Sequence, residues 1–248
     1  MNKALVIHQP NFLPRLKVFI KIAISDSWVI YDDVQYVRRE WQNRVYLRDA
    51  EHRSILFTAP VKKADFHEKI NKIQLENVLL LNEHLAKHFQ CNYSKAPYYN
   101  WVEAYLDSVK QETRNVCDLS TYNVICTNIA FRLLDIKLEE IYSSQIYLTT
   151  TDRNGKLIEL CRKNGSTYYI CGSGGKTYIN ETVFRQAGVN IIYYDYSQIS
   201  YIDSCSLDYY RNNSFLDFVA YNGPELLRKL IIAVKQQQIE CYNFSESQ

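Results

Sequence analysis

The chain has 248 residues, 47% hydrophobic and 23% charged, the balance of an ordinary globular protein with enough apolar content for a sizeable core. A formal net charge of +2, with basic residues paired only briefly at Arg38-Arg39 and Lys62-Lys63, argues against the concentrated basic face of a nucleic-acid or membrane-surface binder.

Residues 3–7 form a short apolar run that stops at His8 and reads as a buried first strand. Pro10 and Pro14 mark a turn, with Pro14 placed as the first residue of a helix, where its missing N–H is no loss. Leu16, Phe19, Ile20, Ala23 and Ile24 recur at helical spacing, and Ser25-Asp26-Ser27 ends that helix. Residues 28–31 make a second strand, stopped by Asp32-Asp33, so the chain opens as a βαβ-type unit of a parallel sheet. Residues 45–61 read as extended, with a strand over 54–57 closed by Pro60. The middle, from about 82 to 134, is mostly helical and breaks at Lys95-Ala96-Pro97.

A second α/β stretch follows. Asn154-Gly155 turns into a helix over 156–164, and Gly165 sits where a C-terminal cap is expected. Residues 168–171 are a strand, 172–176 a glycine-rich loop, 181–186 the start of another helix, and 189–194 a strand after Gly188. A helical tail begins beyond Ser214, and residues 245–248 read as frayed. The predicted fold is α/β, a Rossmann-like parallel sheet with a helical middle region. It is expected as one domain over 1–248 with a helical insertion around 82–135.

The seven cysteines are scattered without a CxxC or a close His pair, which fits neither a disulfide framework nor a zinc site and suits reduced thiols. No apolar run approaches the ~20 residues that span a bilayer, and His8 and Pro10 interrupt the N-terminal run too early for a signal peptide. The expected location is cytoplasmic.

Three segments can carry chemistry. In an open α/β sheet, ligands gather at the carboxyl ends of strands near helix N-termini. A helix beginning near Pro14 offers free N–H groups and partial positive charge to a phosphate, and His8 adds a hydrogen bond or a proton. The alternative is a histidine satisfied by a backbone carbonyl in a tight turn. Asp32 and Asp33 suit Mg²⁺ or a hydroxyl-rich ligand, although neighbours on a strand face opposite ways and one at most would face a site. Beyond them, Trp41 offers a stacking face and Arg44 a phosphate fork; a polar loop with one aromatic anchor is the competing reading. Three of the seven glycines fall within Gly172-Ser173-Gly174-Gly175, so the backbone there turns tightly or approaches something closely, and Lys176 beside it suits an anion. This is not Walker spacing, since position 170 is Ile, and a plain strand-to-helix turn competes with it.

Taken in order, His8-Gln9-Pro10-Asn11-Phe12-Leu13-Pro14, Asp32-Asp33-Val34-Gln35-Tyr36, Trp41-Gln42-Asn43-Arg44, Ser94-Lys95-Ala96-Pro97-Tyr98-Tyr99, the block over 169–178, Ser214-Phe215-Leu216-Asp217 and Asn222-Gly223 resemble the WbqC-like family of bacterial proteins. That family is found with surface-polysaccharide (O-antigen) biosynthesis. Cys171 departs from the small Ser or Thr expected in its block. The resemblance implies modification of a nucleotide-linked amino sugar by amide-forming aminoacyl (glycyl-type) transfer from an amino acid or other acyl donor, driven by ATP with Mg²⁺. A more distant similarity runs to the nucleotidylyl-transferring α/β proteins, including pantothenate synthetase, which activate a carboxylate as an acyl-adenylate through an HxGH-type motif and a later Lys/Ser-rich loop. Here Asn11 stands at the second His position.

On this resemblance His8, Asn11 and Lys176 carry the chemistry. Substrate or nucleotide falls to Gln9, Asp32, Asp33, Gln35, Tyr36, Trp41, Asn43 and Arg44, with Gly172, Ser173, Gly174, Gly175 and Tyr178. Asp33 is the candidate metal ligand, and a homodimer is compatible with the sequence. Two readings compete: acyl or glycosyl transfer to a nucleotide sugar without adenylation, and a non-catalytic subunit of polysaccharide assembly.

Overall fold

The computed structural model describes residues 3–196 and 207–240. In chain order its first half runs β1 (Ala4–His8), α1 (Leu16–Ala23), β2 (Ser27–Ile30), β3 (Arg44–Arg48), β4 (Ser54–Thr58), α2 (Val78–Tyr93), α3 (Tyr99–Thr113) and α4 (Leu119–Leu133). The second half runs β5 (Glu139–Tyr142), α5 (Arg153–Lys163), β6 (Tyr168–Gly172), α6 (Glu181–Gln186), β7 (Asn190–Tyr194), α7 (Leu207–Asn212), α8 (Phe215–Asn222) and α9 (Pro224–Lys235).

Five of the strands form one parallel sheet in the order β5-β2-β1-β6-β7, while β3 and β4 pair as a separate antiparallel hairpin. The expected α/β architecture with a parallel sheet is present. β1 is central, and its residues Ala4 to Ile7 are nearly all shielded from solvent, as the uninterrupted apolar run requires of a strand covered on both faces. Alternation divides it. Ala4 and Val6 pack with α1, α4 and α8, whereas Leu5 and Ile7 pack with Leu157, Ile158 and Leu160 of α5 and with Phe184 of α6. Each buried Leu or Phe here is worth about 1.5–3 kcal/mol.

Side-chain caps fix where several helices begin. Asn77, Asp118, Asp152 and Asn180 each accept a hydrogen bond from a backbone N–H in the first turn of the helix that follows. Behind the hairpin, the fully buried Asp217 of α8 accepts from Tyr93, Tyr209 and the Arg48 guanidinium, tying β3 to the C-terminal helices. The Ser214-Phe215-Leu216-Asp217 segment is therefore structural glue.

The structure departs from expectation in definable places. Pro14 precedes the helix: Arg15 is the N-cap and the helix begins at Leu16, while the Pro14 carbonyl accepts from the N–H of Phe215. Asn154 and Gly155 lie inside α5, because the Asp152 side chain caps the Gly155 N–H and starts the helix earlier than the Asn-Gly pair suggests. The helical middle starts at Val78, capped by Asn77, ahead of the expected 82. β5 has no counterpart in the sequence reading; it is a short edge strand carrying Glu139-Glu140, whose pattern is too polar to announce itself. Gly165 and Gly188 take the positive φ that ends α5 and α6. Residues 245–248 lie outside the described residues. Among the described residues no helix is long and apolar enough to cross a membrane.

Candidate functional site

Chain connections lead away from β1 through β2 on one side and from β6 to β7 on the other, so the sheet's switch point lies between β1 and β6. Such a crevice, beyond the carboxyl ends of the two strands, is where open α/β sheets take ligands. His8 is the last residue of β1 and Gly172 the last of β6, so two of the segments singled out in the sequence converge there.

His8 is held from several directions. Its carbonyl accepts from the Trp28 indole at 3.1 Å and from the Tyr31 N–H at 3.0 Å. Its ring Nδ1 donates to the Gln9 carbonyl at 2.8 Å, which leaves Nε2 as a lone-pair acceptor. Burial, followed by the charge of Lys21, pushes the imidazole pKa well below its ordinary value; Arg15 and Lys17 push the same way and the Gln9 hydrogen bond opposes them. The ring is neutral near pH 7. One ring nitrogen is thus satisfied by backbone, as the turn reading expects, and His8 also lines the crevice.

On the α1 side of His8 a cavity of about 300 Å³ opens. Arg15, Lys17 and Lys21 line it from one wall, Gly172, Ser173 and Gly174 from another, and Tyr194 and Tyr196 complete it. Among the described residues no carboxylate lines it. Lys21 is only 8% exposed on a helix where every side chain but Lys17 is buried. Burial lowers both lysines to about 8; for Lys17 the neighbouring cations Arg15, Arg211 and Lys21 add to it, for Lys21 Arg15 adds while Cys171 opposes. Arg15 is lowered to about 10, again by burial first, with Glu40 opposing and Arg211 adding; among the described residues its Nε is buried without a hydrogen-bond partner, and its guanidinium lies 4.0 Å from the Trp41 ring centroid. Desolvated cations that repel one another, set beside a glycine backbone, are stabilised by an anion carrying more than one charge.

The turn from β1 to α1 is built to hold this shape. Asn123, fully buried on α4, donates to the carbonyls of both Pro10 and Gln42. The Gln42 amide donates to Gln9 Oε1 at 2.8 Å, and Phe12 N–H donates to the Trp41 carbonyl at 3.2 Å. Leu13 sits at φ 38°, in the left-handed region that a leucine enters only under constraint; the Ser214 hydroxyl donates to its carbonyl.

The other expected site residues take varied places. Gln9 and Tyr178 line a second cavity beside His8. Gly175 is buried beneath the loop, where an added Cβ would stand 2.0 Å from Cys171 Sγ. Lys176 is exposed with its ammonium over the Tyr193 ring, on the sheet face opposite Tyr194 and away from the cationic cavity. Asn11 is buried in the turn and lines neither cavity. Asp32 accepts from Ser143, Ser144 and Asn71, tying the end of β2 to the end of β5, and Asp33 accepts from the same Ser143 hydroxyl. Among the described residues no three metal-ligating side chains gather. Gln35 donates to the Phe66 carbonyl and Tyr36 N–H to that of Glu68, so this segment packs against residues 66–70. Asn43 donates to the Ala59 carbonyl across the hairpin, Arg44 Nε is buried without a hydrogen-bond partner among the described residues, and Trp41 meets the cavity-lining Arg15.

Sequence reasoning missed Arg15, Lys17, Lys21 and Arg153. The available signal was Lys21, a lysine flanked by Ile20 and Ile22 in a helix with almost no solvent-facing side.

The model of the WbqC-like protein family matches residues 9–229 of the chain. An uncharacterized protein of Mycobacterium tuberculosis is 28% identical over 195 residues, which cover 78% of this chain and 83% of that one.

Proposed function

Given that the chain belongs to the WbqC-like protein family, we propose that it is a biosynthetic enzyme that holds a phosphate-bearing nucleotide at the β1/β6 crevice and joins an acyl group to the amine of a nucleotide-linked amino sugar. The observation that carries this reading is the cavity in which Arg15, Lys17 and Lys21 converge on a neutral His8, with no carboxylate among the described residues that line it. A pyrophosphate or triphosphate supplies the charge those cations lack.

The chemistry is a carboxylate attacking the α-phosphorus of ATP, releasing pyrophosphate and giving an acyl-adenylate. The sugar amine then attacks the acyl carbon and AMP leaves. His8 Nε2 accepts the proton that the amine loses, a role open to a neutral imidazole whose other nitrogen is already committed to Gln9. Lys17 and Lys21 hold phosphate oxygens, and the 172–174 backbone lets them approach closely.

The test is mass spectrometry of the protein with ATP, Mg²⁺, pooled amino acids and a panel of nucleotide-linked amino sugars, beside calorimetric titration with ATP. A sugar nucleotide heavier by one aminoacyl unit, formed with AMP and lost in His8→Ala, is the expected result. A product without AMP replaces adenylation with direct transfer. Absence of nucleotide binding sinks the proposal.

A further inference from the structure

His8 borders two cavities. The second, of about 210 Å³, opens on the α5 side of the β1 end and is smaller than the ~300–1,000 Å³ of drug-sized ligand pockets. Tyr31, Tyr169 and Tyr178 wall it, Ile7 and Leu157 give it an apolar base, and Arg153 at the start of α5 supplies its charge.

Arg153 is poised for a planar anion. Its guanidinium carbon lies 3.5 Å from the Tyr178 ring centroid, so the aromatic ring holds the cation at the cavity wall. Among the described residues it has no salt-bridge partner, and no carboxylate lines the cavity. Asp152, next to Arg153 in the chain, accepts from the Gly155 N–H, and Asp33, which acts on Tyr31, accepts from Ser143. The Tyr31 and Tyr178 phenols add polar tips to aromatic walls. One cation in a small aromatic enclosure matches a carboxylate, whereas the polyanion belongs with the cluster across β1.

We infer that this cavity is a second subsite, which takes a small carboxylate-bearing molecule on Arg153 and presents it beside His8 to whatever occupies the cationic cavity. The order of chemistry rests on the proposed function; the binding itself does not. The β1 end then separates two reactants on opposite faces of the sheet, with His8 lining both cavities.

The experiment is saturation-transfer NMR with acetate and glycine as probes and acetamide and glycinamide as uncharged controls, on the wild type and on Arg153→Gln. Arg153 is exposed, so the variant is expected to fold, which its thermal unfolding checks. The carboxylates are expected to bind, the amides not, and Arg153→Gln to weaken the carboxylates by about tenfold or more, the loss of one charge-assisted contact. Equal signals from acetate and acetamide, or undiminished binding in the variant, overturns the inference. Sulfate titrated into the same samples reads the other cavity separately. If sulfate fails to bind and acetate still requires Arg153, the functional reading falls and the carboxylate subsite stands.

Discussion

Asn123 lies 3.0 Å from the Pro10 carbonyl and donates to it across more than a hundred residues of chain, while its second amide proton reaches Gln42 at 2.7 Å. One buried amide thus clamps the turn after β1 to the turn before β3. Asn123→Ala strips the donor from two buried carbonyls and is expected to cost about 2–4 kcal/mol in urea unfolding. Because the clamp sets the path from His8 to Arg15, sulfate affinity should fall together with stability. Full affinity in a destabilised Asn123→Ala would show that the turn keeps its shape without it.

The buried ammonium of Lys21 opposes stability. Its folded value of about 8 against an ordinary 10.5 means that the charged form is disfavoured by burial. Lys21→Met fills the same space with a neutral chain and is expected to raise stability by about 1–3 kcal/mol at pH 7, while abolishing most sulfate binding. Chemical unfolding and calorimetry read the two effects, and a loss of both would make Lys21 a packing residue.

The same depressed values set opposite pH slopes for stability and binding. Between about 8 and 10.5 the unfolded chain holds protons on Lys17 and Lys21 that the folded chain has released, so their contribution to stability rises with pH in that window. Anion binding needs those protons and weakens across the same window. Sulfate, whose charge is fixed there, is expected to bind with constant affinity from pH 6.5 to 7.5 and to lose up to about tenfold per unit for each lysine above 8. A flat profile to pH 10 would place the anion elsewhere.

Gly175 and Cys171 are coupled by close contact. A Cβ at 175 falls 2.0 Å from Cys171 Sγ, so Gly175→Ala should destabilise the protein by about 1–3 kcal/mol through overpacking. Cys171→Ala removes the sulfur, and the double variant should recover part of the loss. A double-mutant cycle measures that coupling, and strict additivity would mean the loop relaxes freely.

The sequence made the crevice legible where local punctuation carries it. A histidine closing an apolar strand and glycines closing another announce strand ends, and parallel pairing brings them together. The cations were hidden because Lys17 and Lys21 fall on the side of α1 opposite the apolar positions, where solvent is the default partner. Here Gly172 to Gly174, Tyr194 and Tyr196 cover that side, a tertiary fact whose local trace is the pair of isoleucines flanking Lys21. Asp32 looked available because its partners Asn71, Ser143 and Ser144 lie far along the chain. Lys176 follows glycines, which favours a phosphate reading, yet the 3₁₀ turn over Ser173–Thr177 carries it to Tyr193 on the other face. Arg153 was obscured by an Asn-Gly pair that reads as a turn and is helix.

The central strand of the sheet comes first in the chain and waits for its neighbour. β1 pairs with residues 168–170, and the path into α1 is closed by backbone bonds from Leu16 to Asn213 and from Phe215 to Pro14. At ribosomal speeds of about 5–20 residues per second, His8 therefore emerges on the order of ten seconds before the strand that completes its pocket. A nascent chain shorter than this has the histidine, the lysines and α1, but no crevice for a ligand to enter. A ligand of the cavity can therefore bind once residues up to Tyr196 have been made, and it cannot stabilise the folding that comes earlier.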